Sequence, residues 1–252
     1  SDYAARHGIA RVYTDVDALI NNPEVGAVYI ATPPDSHHAY SLKVAAAGKH
    51  CCVEKPMALN AGQSREMQQA FADAGLHLFV SYYRRSLPRF AQVRQWLAQG
   101  RIGEVRHLSW TLTKTPSAAD LDGSANWRTD PSVAGGGYFA DLASHGFDLF
   151  QYLLGDIVEV AGFTARQAGL YAAEDAVSAS WRFASGALGM GCWSFVADRR
   201  EDRVEIIGSQ GRIAFSVFDE HPVQLFADEQ ISLEIPHHEH IQWHHVLGMN
   251  AH

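Results

Sequence analysis

The feature that most constrains this chain is a rhythm repeated through its first eighty residues: an apolar run, a stop, then a helical stretch. AVYIAT (27–32) follows Gly26 and is halted by Pro33 and Pro34. Proline lacks a backbone donor and pushes the residue before it out of helical geometry, so a strand ends cleanly there. Residues 36–47 read as a helix closed by Gly48, a residue type suited to the left-handed position after a helix. KHCCVEKP (49–56) is a second strand stopped by proline. Residues 60–74 read as a helix with Asn60 as its cap and Gly75 as its stop, and LHLFVSYY (76–83) is a third strand. Upstream, 2–7 and 15–21 read as short helices, the second capped by Asp15. Strands alternating with helices predict a parallel sheet with right-handed crossovers. Their continuous apolar character predicts a sheet covered on both faces.

The rhythm then changes. Residues 88–99 read as a helix ended by Gly100, EVRHLSWTLTK (104–114) alternates with period two, and 137–154 is a long helical run. From 157 to 235 strand-like segments follow one another through short turns, which predicts one antiparallel meander. Trp181, Phe183, Trp193 and Phe195 alternate along it. They predict an exposed apolar face that pairs subunits, or else a core against the helices. The chain therefore divides into two domains, residues 1–87 and 88–252.

Hydrophobic residues at 47% and charged residues at 19% exclude intrinsic disorder as the main state. A net charge of −8 argues against nucleic-acid partners, whose binding rests on neutralising phosphates. The absence of an 18-residue apolar run argues against a membrane span. The three cysteines, Cys51, Cys52 and Cys192, cannot form a disulfide framework, which points to a reducing, cytoplasmic compartment.

Chemistry could sit at three places. Glu54-Lys55-Pro56 lies at the carboxyl end of a parallel strand, where open α/β sheets bind ligands. Lys55 could donate to a substrate oxygen or carry a proton, or be a solvated strand end. Asp141 and His145 are four apart on a helix and share a face, with Asp148 three further on. A carboxylate facing an imidazole fixes its tautomer for acid–base work, although a satisfied histidine on an amphipathic helix has the same spacing. Trp127-Arg128 suits stacking on a ring and holding polar groups, or is a plain loop. His237, His238, His240, His244 and His245 cluster without a recognised ligand spacing, and Cys51-Cys52 lies in an apolar strand, so no metal site is expected.

Taken in order, ATPPDSH (31–37), AGKHCCVEKP (47–56), YYRRSLP (82–88), GRIGEV (100–105) and WRTDPSVAGGGYFADLASHGFDLFQYLLG (127–155) resemble the Gfo/Idh/MocA-type nicotinamide-dependent oxidoreductases. The resemblance implies an α/β fold: a partial Rossmann-type parallel sheet followed by an α+β domain with a large, mostly antiparallel open sheet. It implies NAD or NADP as cofactor, lined by Ala31, Thr32, Pro33, His37, Glu54 and Lys55. Lys55 would lie by the nicotinamide and the reacting oxygen, His145 would be the acid/base, and Asp141 would orient it or the substrate. Arg85, Trp127 and Arg128 would border a polyol, sugar or related hydroxy substrate, and the protein would form a homo-oligomer, a dimer or tetramer. Relatives that cleave glycosides through transient NAD-dependent oxidation, or that serve as non-catalytic dinucleotide sensors, are the alternatives. The family's opening strand and G-x-G-x-x-G loop, which cradles pyrophosphate at a helix N-terminus, do not occur in these residues. A longer protein is therefore expected. The strands at 27–32 and 49–54 are each expected to carry an unpaired edge, and residues 1–252 alone to bind NAD(H) or NADP(H) weakly.

Overall fold

Residues 2–236 are described by the computed structural model, and they fall into two units that meet in sequence between Val80 and Ser81. The first unit contains α1 (Asp2–Arg6), α2 (Val16–Ile20), β1 (Ala27–Ile30), α3 (His37–Ala46), β2 (His50–Val53), α4 (Ala61–Asp73) and β3 (Leu78–Val80). Asp15 caps α2 by accepting from the Asp17 amide at 2.9 Å, and Asn60 caps α4 by accepting from the Gln63 amide at 3.0 Å. These carboxylate and amide oxygens satisfy donors that the first helical turn leaves unpaired.

The three strands are parallel, in the order β1-β2-β3, with Val28 beside Cys51 and Ile30 beside Val53. Those four side chains share one core with Val44 and Ala45 of α3 and Met67 and Phe71 of α4. Both helices thus cover the same face, as successive crossovers of one hand in one direction require. The other face carries Ala27, Tyr29 and His50 in the open, so the expectation of a sheet covered on both faces is corrected for the described residues. A second correction concerns edges. β2 is paired on both sides, and of the two strands expected to carry a free edge only β1 does so among the described residues.

The second unit opens with a 3-10 turn (Tyr83–Ser86) and α5 (Pro88–Ala98), then β4 (Val105–Thr113), α6 (Ala118–Asp122), α7 (Pro131–Ala134) and α8 (Tyr138–Leu154). β5 (Ile157–Ala165), β6 (Ala176–Phe183), β7 (Leu188–Ser194), β8 (Glu201–Gly208), β9 (Arg212–Phe215), β10 (Val223–Phe226) and β11 (Gln230–Leu233) follow. The eight strands order as β11-β10-β9-β8-β4-β7-β6-β5. The predicted unbroken meander is therefore corrected. β4 is inserted between β7 and β8, parallel to the first and antiparallel to the second.

One face of this sheet is packed by α5 and α8. Trp181, Phe183, Trp193 and Phe195 all lie in that core with Trp110, Leu149 and Phe150, so they do not form the exposed face. The open face instead carries Phe163, Leu188, Met190 and Ile207, with Phe163 82% exposed. α8 reaches the sheet at Gly146: a Cβ there would stand 2.3 Å from the Trp110 ring. The indole N–H of Trp110 donates to the buried Asp202 at 3.0 Å, which also accepts from the Phe218 and Asp219 amides. The ring is thus tethered and cannot swing aside. Gly146→Ala is expected to lower stability by about 1–3 kcal/mol through overpacking, against the usual gain of alanine within a helix. Urea denaturation of the intact protein checks this by a lower midpoint at unchanged slope.

Candidate functional site

In the first unit the site residues gather where β1 and β2 end. Ala31, Thr32 and Pro33 leave β1 exposed to solvent, and Glu54, Lys55 and Pro56 leave β2 half-buried. His37, at the start of α3, is fully buried and joins the two loops: Nε2 lies 2.7 Å from the Thr32 carbonyl oxygen and Nδ1 3.0 Å from that of Pro56. Its ring therefore acts on the loop backbones. Thr32 Oγ1 and Ser36 Oγ are 2.6 Å apart, and Ser36 Oγ donates to the Pro33 carbonyl. Glu54 accepts from the Tyr29 hydroxyl and from the Lys55 amide. The result is a fixed ledge at the carboxyl edge of a parallel sheet, with Thr32 and Lys55 on it. Open α/β sheets bind their ligands at such an edge. A phosphate-cradling glycine loop is not part of it.

In the second unit the site is built on α8. The helix is entered through Gly137, whose amide donates to Glu174 Oε1 at 3.0 Å; a Cβ there would press on Ala173 and the Glu174 carbonyl. From this fixed start Asp141, His145 and Asp148 follow along one stripe. The Asp141 carboxylate lies 3.5 Å from Arg128 Nε, and the Arg128 guanidinium stacks on the Trp127 ring with 4.3 Å to its centroid. Asn126 caps the 3-10 turn that presents these two residues. The Asp148 carboxylate is held by Arg85 through both its oxygens, and Arg85 also packs over Tyr152. His145 is 5% exposed, with the rings of Tyr82, Tyr83 and Phe218 set edge-on around it at about 6 Å. The structure thus brings Trp127, Arg128 and Asp141 together, places His145 one turn along, and commits Arg85 to Asp148. Two carboxylates steadied by arginines, flanking an imidazole in an aromatic setting, can orient a hydroxyl-bearing ligand and move its proton.

Two residues escaped the sequence reading. Tyr82, read only as one residue of a strand end and of the 82–88 run, sets its ring edge-on to that of His145, with 5.9 Å between centroids. Lys114 follows β4, its ammonium 3.8 Å from the centroid of the Tyr138 ring. A signal for Lys114 existed: it continues the inward parity of Leu108, Trp110 and Leu112, and a lysine at an apolar position of an alternating strand calls for an explanation. Among the described residues no cluster could hold a metal ion, and the histidines from 237 onward lie outside them.

A profile described as "Oxidoreductase family, NAD-binding Rossmann fold" matches residues 1–82, and one described as "GFO/IDH/MocA C-terminal domain" matches residues 90–214. The chain is 34% identical over 218 residues to "Oxidoreductase P35" of Formosa agariphila, covering 86% of this chain and 67% of that protein. It is 31% identical over 226 residues to "1,5-anhydro-D-fructose reductase" of Ensifer adhaerens, covering 88% and 66%. Among solved structures, "Levoglucosan dehydrogenase, complex with NADH and levoglucosan" superposes with a TM-score of 0.83 at 27% identity, over 92% of this chain and 67% of that one. The chain spans about two thirds of the length of the relatives it matches.

Burial pushes the Tyr82 phenol up to about 12, with the nearby Asp148 charge adding and Ser144 and Arg85 opposing. Below pH 10 both folded and unfolded chains hold this proton. Between about 10 and 12 only the folded chain does, so rising pH draws the equilibrium towards unfolding. Denaturation midpoints are therefore expected to fall across that interval, and to fall less steeply in Tyr82→Phe.

Proposed function

The chain belongs to the Gfo/Idh/MocA family of oxidoreductases, and from that premise we propose that its protein transfers a hydride between a nicotinamide and a hydroxyl-bearing carbon of a polyol or sugar. The observation that carries this reading is the α8 stripe, with Asp141 held beside Arg128 and His145 sunk among aromatic rings. Hydroxyl oxidation needs an oriented base next to a desolvated oxygen, and this stripe supplies both.

When bound, the nicotinamide supplies the hydride acceptor or donor. Ala31, Thr32, Pro33, Glu54 and Lys55 would hold it, with His37 fixing the loops that carry them. Lys55 donates a hydrogen bond to the reacting oxygen. His145 takes the hydroxyl proton during oxidation and returns it during reduction. Asp141, braced by Arg128, orients the substrate, while Trp127 borders it and Arg85 keeps Asp148 in place. Whether NAD or NADP is used depends on residues that contact the adenosine ribose.

The protein works as a homo-oligomer in this reading, through the open sheet face bearing Phe163, Leu188, Met190 and Ile207. Apolar side chains gathered on one open face favour self-association. Its compartment is reducing, in keeping with three free cysteines, one of them exposed. No helix among the described residues is long and apolar enough to cross a membrane.

His145→Ala is expected to lower turnover of the intact protein by about 10²-fold or more, and Lys55→Met by a comparable factor. Steady-state absorbance of NADH or NADPH with polyols and sugars measures this; unchanged turnover in His145→Ala with chemistry rate-limiting removes the base from the mechanism. Phe163→Asp should shift the intact protein towards monomer in light scattering, and a monomeric parent protein defeats the oligomer reading.

A further inference from the structure

We propose that Lys114 is a substrate-binding residue and that the substrate it selects bears a carboxylate, making the preferred substrates sugar acids rather than neutral sugars. The inference rests on the oxidoreductase reading above and narrows its substrate class.

The backbone of Lys114 is pinned on both sides. Its amide donates to the Ser194 carbonyl at 2.9 Å, and its carbonyl accepts from Ala197 at 3.1 Å. The side chain is half-buried, and its ammonium rests on the face of Tyr138, the first residue of α8. Among the described residues that ammonium meets no hydrogen-bond acceptor and no ion-pair partner. The nearest obvious counter-ion, Asp120, is already engaged: it accepts from the Ser117 amide and hydroxyl at 2.8 and 2.7 Å and from the Tyr138 hydroxyl at 2.8 Å.

The ring face stabilises the cation but takes none of its three N–H donors. Burial depresses the Lys114 proton affinity, with Arg200 and Arg128 pushing the same way and Asp120 and Asp141 against. The ammonium is therefore within electrostatic reach of Asp141 and Arg128, at the start of the helix that carries the proposed base. A half-buried cation with spare donors is what a bound anion satisfies. Asp120 and Asp141 stand close enough to repel a dianion. A singly charged carboxylate, taking a charge-assisted bond from Lys114, fits this balance better than a phosphate.

The test is steady-state kinetics of the intact protein on matched pairs: D-glucuronate against D-glucose and D-galacturonate against D-galactose, with NAD+ and with NADP+. The parent enzyme is expected to favour a uronate in kcat/KM by about 10-fold or more. That preference should shrink as salt is added, which needs no variant and stands if a variant misfolds. Lys114→Met should raise KM for the uronate by about 10-fold relative to its effect on the neutral sugar, in KM rather than kcat. Lys114→Arg should retain most of the preference. Neutral sugars turned over as well as uronates, or a Lys114→Met that weakens both alike, overturns the proposal while leaving the oxidoreductase reading intact. No turnover of any hydroxy compound overturns both.

Discussion

The close approach of α8 to the sheet at Gly146 governs the second unit. Without a side chain at that position the helix settles onto the Trp110 ring, which is itself tied to Asp202. Each residue turns the helix by about 100°. The buried stripe of Ala143, Gly146, Leu149 and Phe150 therefore fixes the rotation of the stripe beside it, which bears Asp141, His145 and Asp148. The position of the proposed base is a consequence of core packing. A helix standing even slightly further from Trp110 would carry His145 away from the rings of Tyr82, Tyr83 and Phe218.

Charge is arranged around that helix in matched pairs. Arg85 serves Asp148 in a half-buried, two-point contact, and Arg128 serves Asp141 nearer the solvent. A two-point contact of this kind fixes orientation as well as neutralising charge. Asp120 is instead hydrogen-bonded by uncharged donors, the Ser117 amide and hydroxyl and the Tyr138 hydroxyl. With these three carboxylates served, the ammonium of Lys114 remains as a cation among neighbours already committed.

Much of this was legible from local pattern, and the gaps have physical causes. The proline-stopped runs marked β1 and β2, Asp15 and Asn60 marked helix starts, and the four-residue spacing put Asp141 and His145 on one stripe. Period-two alternation in β6 and β7 also separated two faces correctly. It could not say which face met the helices, because Trp181 and Trp193 would look the same on either side. Strand order lay beyond local reading altogether: nothing within 104–114 records that β4 pairs with residues 188–194 and 201–208. That α3 and α4 lie on one face of the first sheet follows from two crossovers taken in one direction, a property of connectivity rather than of the apolar runs themselves. Lys114 announced itself only as a charged residue at inward parity, and Tyr82 only as an aromatic beside another.

The insertion of β4 has a consequence for how the chain is made. Emerging from the ribosome, β4 precedes both of its neighbours, β7 by some seventy residues and β8 by more. During that interval its backbone donors and acceptors on both sides have no sheet to join, and its apolar side chains, Leu108, Trp110 and Leu112, have only early helices to lean on. Pairings this distant in sequence close slowly because a long loop must be ordered first. The central strand of the sheet is thus the one kept waiting longest, and the nascent chain is most exposed to mispairing before residue 208 has left the exit tunnel.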